Sequence, residues 1–208
     1  MSSDRELTAA MRRMAFVLKL AGDRETQIAA VRSTFEAADV PNFSLWHIQE
    51  YIFGYGEPKD GDMHALDAFL AKLPEGVTLA CAPGSMRLMY RCIGIVREDK
   101  NLIRHRVFAT RLKPGCEEEY KHRHDGLIEA RGDSVIEGPE SNFTIWYGDG
   151  CIFGYCELVR AYDEIKPTQE EHDATVAWET RQLEIMDWLT DDVDWLTGRK
   201  HPKVERVL

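Results

Sequence analysis

With 208 residues the chain is long enough to bury a sizeable core, and its length fits one or two domains. A 44% apolar and 30% charged composition is that of an ordinary soluble globular protein, and a net charge of −10 disfavours a sequence-independent hold on nucleic acid or anionic lipid, which needs clustered Lys and Arg. No apolar run reaches the roughly 18 residues a membrane helix needs. The N-terminal MSSDRELTAAMRR lacks the apolar core of a secretion signal, so the expected location is cytoplasmic.

The first predicted element is a strand, Met14 to Leu20, followed by a helix from Asp23 to Ala38 in which Ile28, Val31 and Phe35 share one face. Pro41 ends it, and Asn42 to Pro58 reads as a β-hairpin. A second helix spans Met63 to Leu73, and a Pro/Gly loop leads to a strand within Met86 to Val96. The order then recurs. A strand at Arg106 to Leu112 turns at Lys113-Pro114-Gly115 into a helix from about Cys116, whose Glu117, Glu118 and Glu119 suit the positive end of the helix dipole. The hairpin Asn142 to Leu158 turns at Gly148-Asp149-Gly150. A long helix, Gln169 to Trp188, and a short strand, Lys203 to Leu208, close the chain.

The two hairpins carry the clearest signal. NFSLWHIQEYIFGYGEP and NFTIWYGDGCIFGYCEL agree at eight of seventeen positions, one hundred residues apart, so the chain reads as two copies of one unit, 1–100 and 101–208. Each copy is expected to be a β-α-β-β-α-β ferredoxin-like unit, an α+β arrangement with two helices on one face of an antiparallel sheet. Both strand faces of the hairpin carry large residues, Phe143, Ile145 and Tyr147 on one and Trp146 on the other, so the bare sheet faces are expected to pack on each other as an α/β barrel within one chain. The second copy is longer in its Arg131–Ser141 loop, a polar Gly/Pro connection of the kind that covers a pocket.

Chemistry should show where the copies differ. Superposing the first strands at an offset of 92 sets Tyr120 against Ile28 and His124 against Arg32. Cys116, Tyr120, His124 and Leu127/Ile128 then form one helix stripe facing the sheet, with two titratable groups aimed into one small volume. An imidazole with an ordinary pKa of about 6.5 takes or gives a proton at working pH, and a phenol donates a hydrogen bond. The plainer alternative is a packed tyrosine and a half-exposed histidine. A metal site from His122, His124 and His172 is not expected, because residues two apart on a helix do not face together. The five cysteines, Cys81, Cys92, Cys116, Cys151 and Cys156, have no metal or redox spacing and read as reduced packing residues.

RVFATRLKPGCEEEYKHRHDGL followed by NFTIWYGDGCIFGYCEL resembles the L-rhamnose mutarotase family, whose members show K-P-G-x-E-E-E-Y-x-x-R-H-D on the first helix and an N-Y/F-S/T-I-aromatic hairpin ending in Glu. The likeness runs from about Arg104 to Val159. In place of the family's W-W-K-Y-M segment stands RQLEIMDWL, with Trp178 and Trp188 nearby. The resemblance implies a dimeric α/β-barrel fold and cofactor-free interconversion of the α and β anomers of a pyranose, L-rhamnose or a related deoxy sugar. It also maps the family's helix Tyr and His onto Tyr120 and His124, as the acid/base pair. Arg106, Asn142, Trp146 and Tyr147 are the candidate substrate contacts. One active site per chain is expected, with the first copy structural, a small-molecule sugar as partner, no metal, and a homodimer of the fused chain as a further possibility. Two other classes fit the same residues: a cofactor-free α/β-barrel monooxygenase or decarboxylase, and a non-catalytic sugar-binding protein.

Overall fold

The structure is a computed structural model and describes residues 13–58, 62–95, 103–136, 138–190 and 202–208. It divides into two compact units, the described residues of Met1–Arg87 with Val204–Leu208, and those of Leu88–Lys203.

In the first unit, β1 (Met14–Leu20) leads to α1 (Arg24–Ala38), capped by Asp23, whose carboxylate accepts the Thr26 amide at 2.9 Å. The hairpin β2 (Phe43–Ile48) and β3 (Tyr51–Gly56), the helix α2 (His64–Leu70) and β4 (Val77–Cys81) complete the unit. The second unit repeats this path with β6 (Ile103–Leu112), α3 (Glu117–Arg131), β7 (Glu140–Gly148), β8 (Cys151–Val159), α4 (Gln169–Leu183) and β9 (Met186–Trp188). Two further strands, β5 (Arg87–Cys92) and β10 (Glu205–Arg206), lie between and after the repeats. The sheets run β10-β2-β3-β1-β4 and β5-β7-β8-β6-β9. Set aside β10 and β5, and each is the four-stranded order of a ferredoxin-like unit, with its first strand between its third and fourth.

Three expectations are corrected here. The strand near residue 90 and the strand at the C-terminus do not close their own copies: each is a fifth strand on the other copy's sheet. The fourth strands are instead β4 and β9. For the same reason the helix read as Gln169 to Trp188 ends at Leu183, because Met186, Asp187 and Trp188 pair with Leu112, Arg111 and Thr110. Ile185 and Trp188 fit a helical spacing in sequence, but Trp188 pairs with Thr110 on β6 and the Ile185 carbonyl accepts from the Lys113 amide.

The repeat is kept in the details of packing. Trp46 Nε1 donates to Ser44 Oγ at 2.9 Å, and Trp146 Nε1 donates to Thr144 Oγ1 at 3.1 Å. The Phe16 ring covers Gly54 and the Phe108 ring covers Gly154 so closely that a Cβ at either glycine would collide with it. Asn42 and Asn142 both take a left-handed backbone, φ 58° and 50°, at the start of the hairpins.

What differs is the space between helix and sheet. In the first unit it is filled: Val31 and Phe69 are fully buried, and Phe35 meets Phe69 edge to face at 4.9 Å. The turn Lys113-Pro114-Gly115 before α3 is one residue longer than Ala21-Gly22 before α1. Helix start therefore matches helix start at an offset of 93, and the counterparts of Tyr120 and His124 are Gln27 and Val31 rather than Ile28 and Arg32.

Candidate active site

Two contacts fix α3 against α4. Arg123, on the turn of α3 that carries Tyr120 and His124, donates to Glu119 at 2.7 Å, to Glu184 at 3.1 Å and to the Arg181 carbonyl. Lys113, in the turn before α3, donates to the Leu183 and Glu184 carbonyls at 3.2 and 2.9 Å, where the C-terminal end of α4 presents unpaired acceptors. At its other end α4 has a capping box, the Thr168 hydroxyl accepting from the Glu171 amide while the Glu171 carboxylate accepts from Thr168.

Between these helices and the sheet lies a cavity of about 160 Å³. Tyr120, His124 and Leu127 line it from α3, and Trp178, Glu179 and Gln182 from α4. The sheet supplies Tyr90, Arg106, Phe108, Phe143, Ile145, Met186 and Trp188.

His124 is only 5% exposed, which excludes the half-exposed surface histidine. Its ring stacks on that of Tyr120, centroids 4.2 Å apart and planes 26° from parallel, and meets Trp178 and Tyr90 edge-on at 5.2 and 5.5 Å. Nδ1 lies 2.9 Å from the Tyr120 carbonyl oxygen. A carbonyl only accepts, so Nδ1 carries the hydrogen and, in the neutral ring, Nε2 carries the lone pair. Burial pulls the imidazole down to about 4, outweighing the support that the Tyr120 carbonyl gives to the protonated form. Burial pushes the Tyr120 phenol well above the usual tyrosine range, with the nearby Glu179 carboxylate adding to the effect. At neutral pH the site therefore holds a neutral base and a protonated phenol, ring against ring.

The other sequence candidates divide by sheet face. Arg106 lines the cavity, its guanidinium 5.4 Å from the Phe108 ring centre and 3.9 Å from Glu140. Tyr147 shares the face of Phe143 and Ile145, but it is not in the cavity wall: its hydroxyl donates to Glu117 at 2.9 Å. Trp146 and Asn142 are corrected. By strand alternation Trp146 lies on the face away from the helices. Asn142 donates to Glu157 at 3.0 Å, an acceptor it shares with the Tyr155 hydroxyl, which in turn lies 2.8 Å from His105 Nδ1. That is a polar network on the far face, and none of these four residues lines the cavity. The Arg131–Ser141 loop, expected over a pocket, contributes none of its described residues to the wall.

Sequence reasoning missed most of what α4 and β9 bring to the cavity wall. Trp178 and Trp188 both line the cavity although neither matches the position of a W-W pair in sequence, and Glu179 and Gln182 were hidden in a helix read for its apolar stripe. Among the described residues no three His, Cys, Asp or Glu side chains gather in a metal-binding group, and no helix is long and apolar enough to cross a membrane.

Comparison with known proteins adds a family to this geometry. No curated protein matches the chain. Among solved structures, a protein of Fusobacterium nucleatum assigned as a monooxygenase is 12% identical, covering 86% of this chain and 93% of its own at a TM-score of 0.39. The glucooligosaccharide oxidase of Acremonium strictum is 10% identical, with 76% of this chain and 41% of the oxidase covered at a TM-score of 0.27. Likenesses this loose carry no argument about activity. The family model for L-rhamnose mutarotase, by contrast, matches residues 105–207, which hold both Tyr120 and His124. Residues 105–207, the stretch that builds this cavity apart from Tyr90, are thus similar to the L-rhamnose mutarotase family.

Proposed function

We propose that the unit carrying His124 is a cofactor-independent mutarotase that interconverts the α and β anomers of a pyranose. The observation that supports this best is the hydrogen bond from His124 Nδ1 to the Tyr120 carbonyl, because it leaves Nε2 as a proton acceptor in the wall of a cavity sized for one sugar ring.

Mutarotation needs one proton taken from the anomeric hydroxyl and one given to the ring oxygen. Nε2 of His124 takes the O1 proton, and the O–H electron pair forms the aldehyde C=O as the C1–ring oxygen bond breaks. That bond's electrons go to the ring oxygen, which takes the Tyr120 phenol proton. Rotation about C1–C2 and the reverse transfers close the ring as the other anomer and return both protons. The raised phenol and lowered imidazole each make their charged forms costly alone. Formed together in stacked rings 4.2 Å apart, imidazolium and phenolate attract one another, and in a low-dielectric site that attraction offsets much of the cost. Tyr90, Trp178 and Trp188 offer flat apolar surface to the C–H face of a sugar.

The test is NMR exchange between anomer signals over a panel of common and deoxy pyranoses. Wild type is expected to accelerate exchange for at least one sugar, with His124→Ala and Tyr120→Phe abolishing it. Sugar binding without faster exchange would replace this reading with a binding protein.

A further inference from the structure

Among the described residues two helix glutamines, Gln27 and Gln182, are buried, and they are treated differently. Gln27, on α1, is fully used: its Oε1 accepts the Gly22 amide at 3.1 Å and its Nε2 donates to the Glu75 carbonyl at 3.3 Å. Gln182, on α4, is 2% exposed, and among the described residues neither its Nε2 nor its Oε1 has a protein partner. It stands in the cavity wall with His124, Trp178 and Glu179. A dry amide with both ends unused is expensive to keep, and an apolar side chain of the same length would pack there without that penalty. Nothing in the fold recovers the cost.

We propose that Gln182 determines specificity for the sugar, its amide both donating to and accepting from hydroxyl groups on the pyranose, a role that rests on the mutarotase reading of the same cavity. Most of the remaining wall is apolar: Phe108, Phe143, Ile145, Leu127 and Met186. The amide thus marks one edge of the ring as hydroxylated, while the apolar wall suits an edge that carries none. Because the amide is closed to water in the free protein, binding includes a side-chain rotation that turns it to the ligand. A sugar lacking the matching hydroxyl leaves the amide orphaned in the complex, which is how a buried polar group rejects a near-isostere.

Gln182→Met keeps the length and removes both polar ends. Anomer exchange is measured for wild type and Gln182→Met on the best pyranose and on its monodeoxy analogues, one hydroxyl removed at a time. Wild type is expected to discriminate against one analogue by about 10–100-fold in kcat/KM, the worth of one buried hydrogen bond. Gln182→Met is expected to lose that discrimination by slowing on the parent sugar while holding its rate on the analogue. Its thermal midpoint should rise by about 2–4 °C, since the orphan amide is gone. An unchanged preference in Gln182→Met, with exchange still fast, overturns this proposal and leaves the mutarotase standing. If wild type accelerates no exchange, the mutarotase reading falls, and the proposal is judged by saturation-transfer binding of the same panel: wild-type selectivity lost in Gln182→Met sustains it, and identical binding profiles overturn it.

Discussion

The imidazole of His124 lies flat against the Tyr120 ring one helical turn earlier, and the same imidazole is tethered through Nδ1 to the Tyr120 backbone carbonyl. One residue thus fixes the histidine twice, by ring face and by tautomer. Replacing Tyr120 with Phe keeps the stack and the backbone tether and removes only the hydroxyl. Exchange is expected to fall by about 10²–10⁴-fold, the usual worth of a positioned acid or base, with little change in thermal midpoint. Equal losses of stability and activity would mean that the hydroxyl is structural.

Acid should switch the site off. The imidazole must be neutral to accept a proton, and it is held near 4. The kcat/KM for exchange is therefore expected to be flat through neutral pH and to fall on the acid side with a midpoint near that value. A histidine titrating near its ordinary 6.5 would instead bring the fall to mildly acidic pH.

The same burial predicts an acid-linked loss of stability. Between pH 6.5 and about 4 the unfolded chain binds a proton at position 124 that the folded chain refuses. Stability falls as pH drops through that window, by up to about 3 kcal/mol, and is indifferent to this group above it. His124→Leu removes the linkage, so denaturant midpoints of variant and wild type should draw closer as pH falls from 7 to 4.5.

The paired glycines allow the two halves to be separated. A methyl at Gly54 meets Phe16 and one at Gly154 meets Phe108, so either Ala substitution is expected to cost about 1–3 kcal/mol by overpacking. Only Phe108 borders the cavity. Gly154→Ala should therefore impair exchange beyond its effect on folding, while Gly54→Ala, assayed well below its melting point, should exchange sugars at the wild-type rate.

Asn142 offers a test of the face assignment. Asn142→Ala removes the hydrogen bond to the buried Glu157 and sets a Cβ-branched-free but non-Asn residue at a positive φ, at a cost of about 2 kcal/mol or more. Exchange kinetics at a temperature where the variant is folded are expected to match wild type. A selective rise in KM would return Asn142 to the substrate.

The likeness of the two hairpins was visible because they are short, local and rich in residues with the same role in both: Asn for the positive φ, Gly under an aromatic ring, Trp bonded to a neighbouring hydroxyl. Tyr120 and His124 were visible for the opposite reason, since their counterparts in the other copy are an amide and a valine. Strand exchange was not visible. A short strand says that it needs an edge, and two sheets of like strand order offer equivalent edges; only tertiary pairing chooses. Gln182 and Glu179 escaped because helix α4 was read for its apolar periodicity, where a polar residue on the inner face counts as noise. The sheet face of Trp146 was legible from alternation, whereas Asn142 sits at a bulge that breaks the count.

Because β5 precedes the second repeat and β10 follows it, cutting the gene between the copies would separate parts that belong together. A product starting at residue 101 would lack Tyr90 from the wall of its own pocket, and a product ending at residue 100 would lack Val207 from its own core. On the ribosome, the first sheet must wait for β10 before its edge is covered, so the unit holding Tyr120 and His124, though made second, is the first with all its strands in hand.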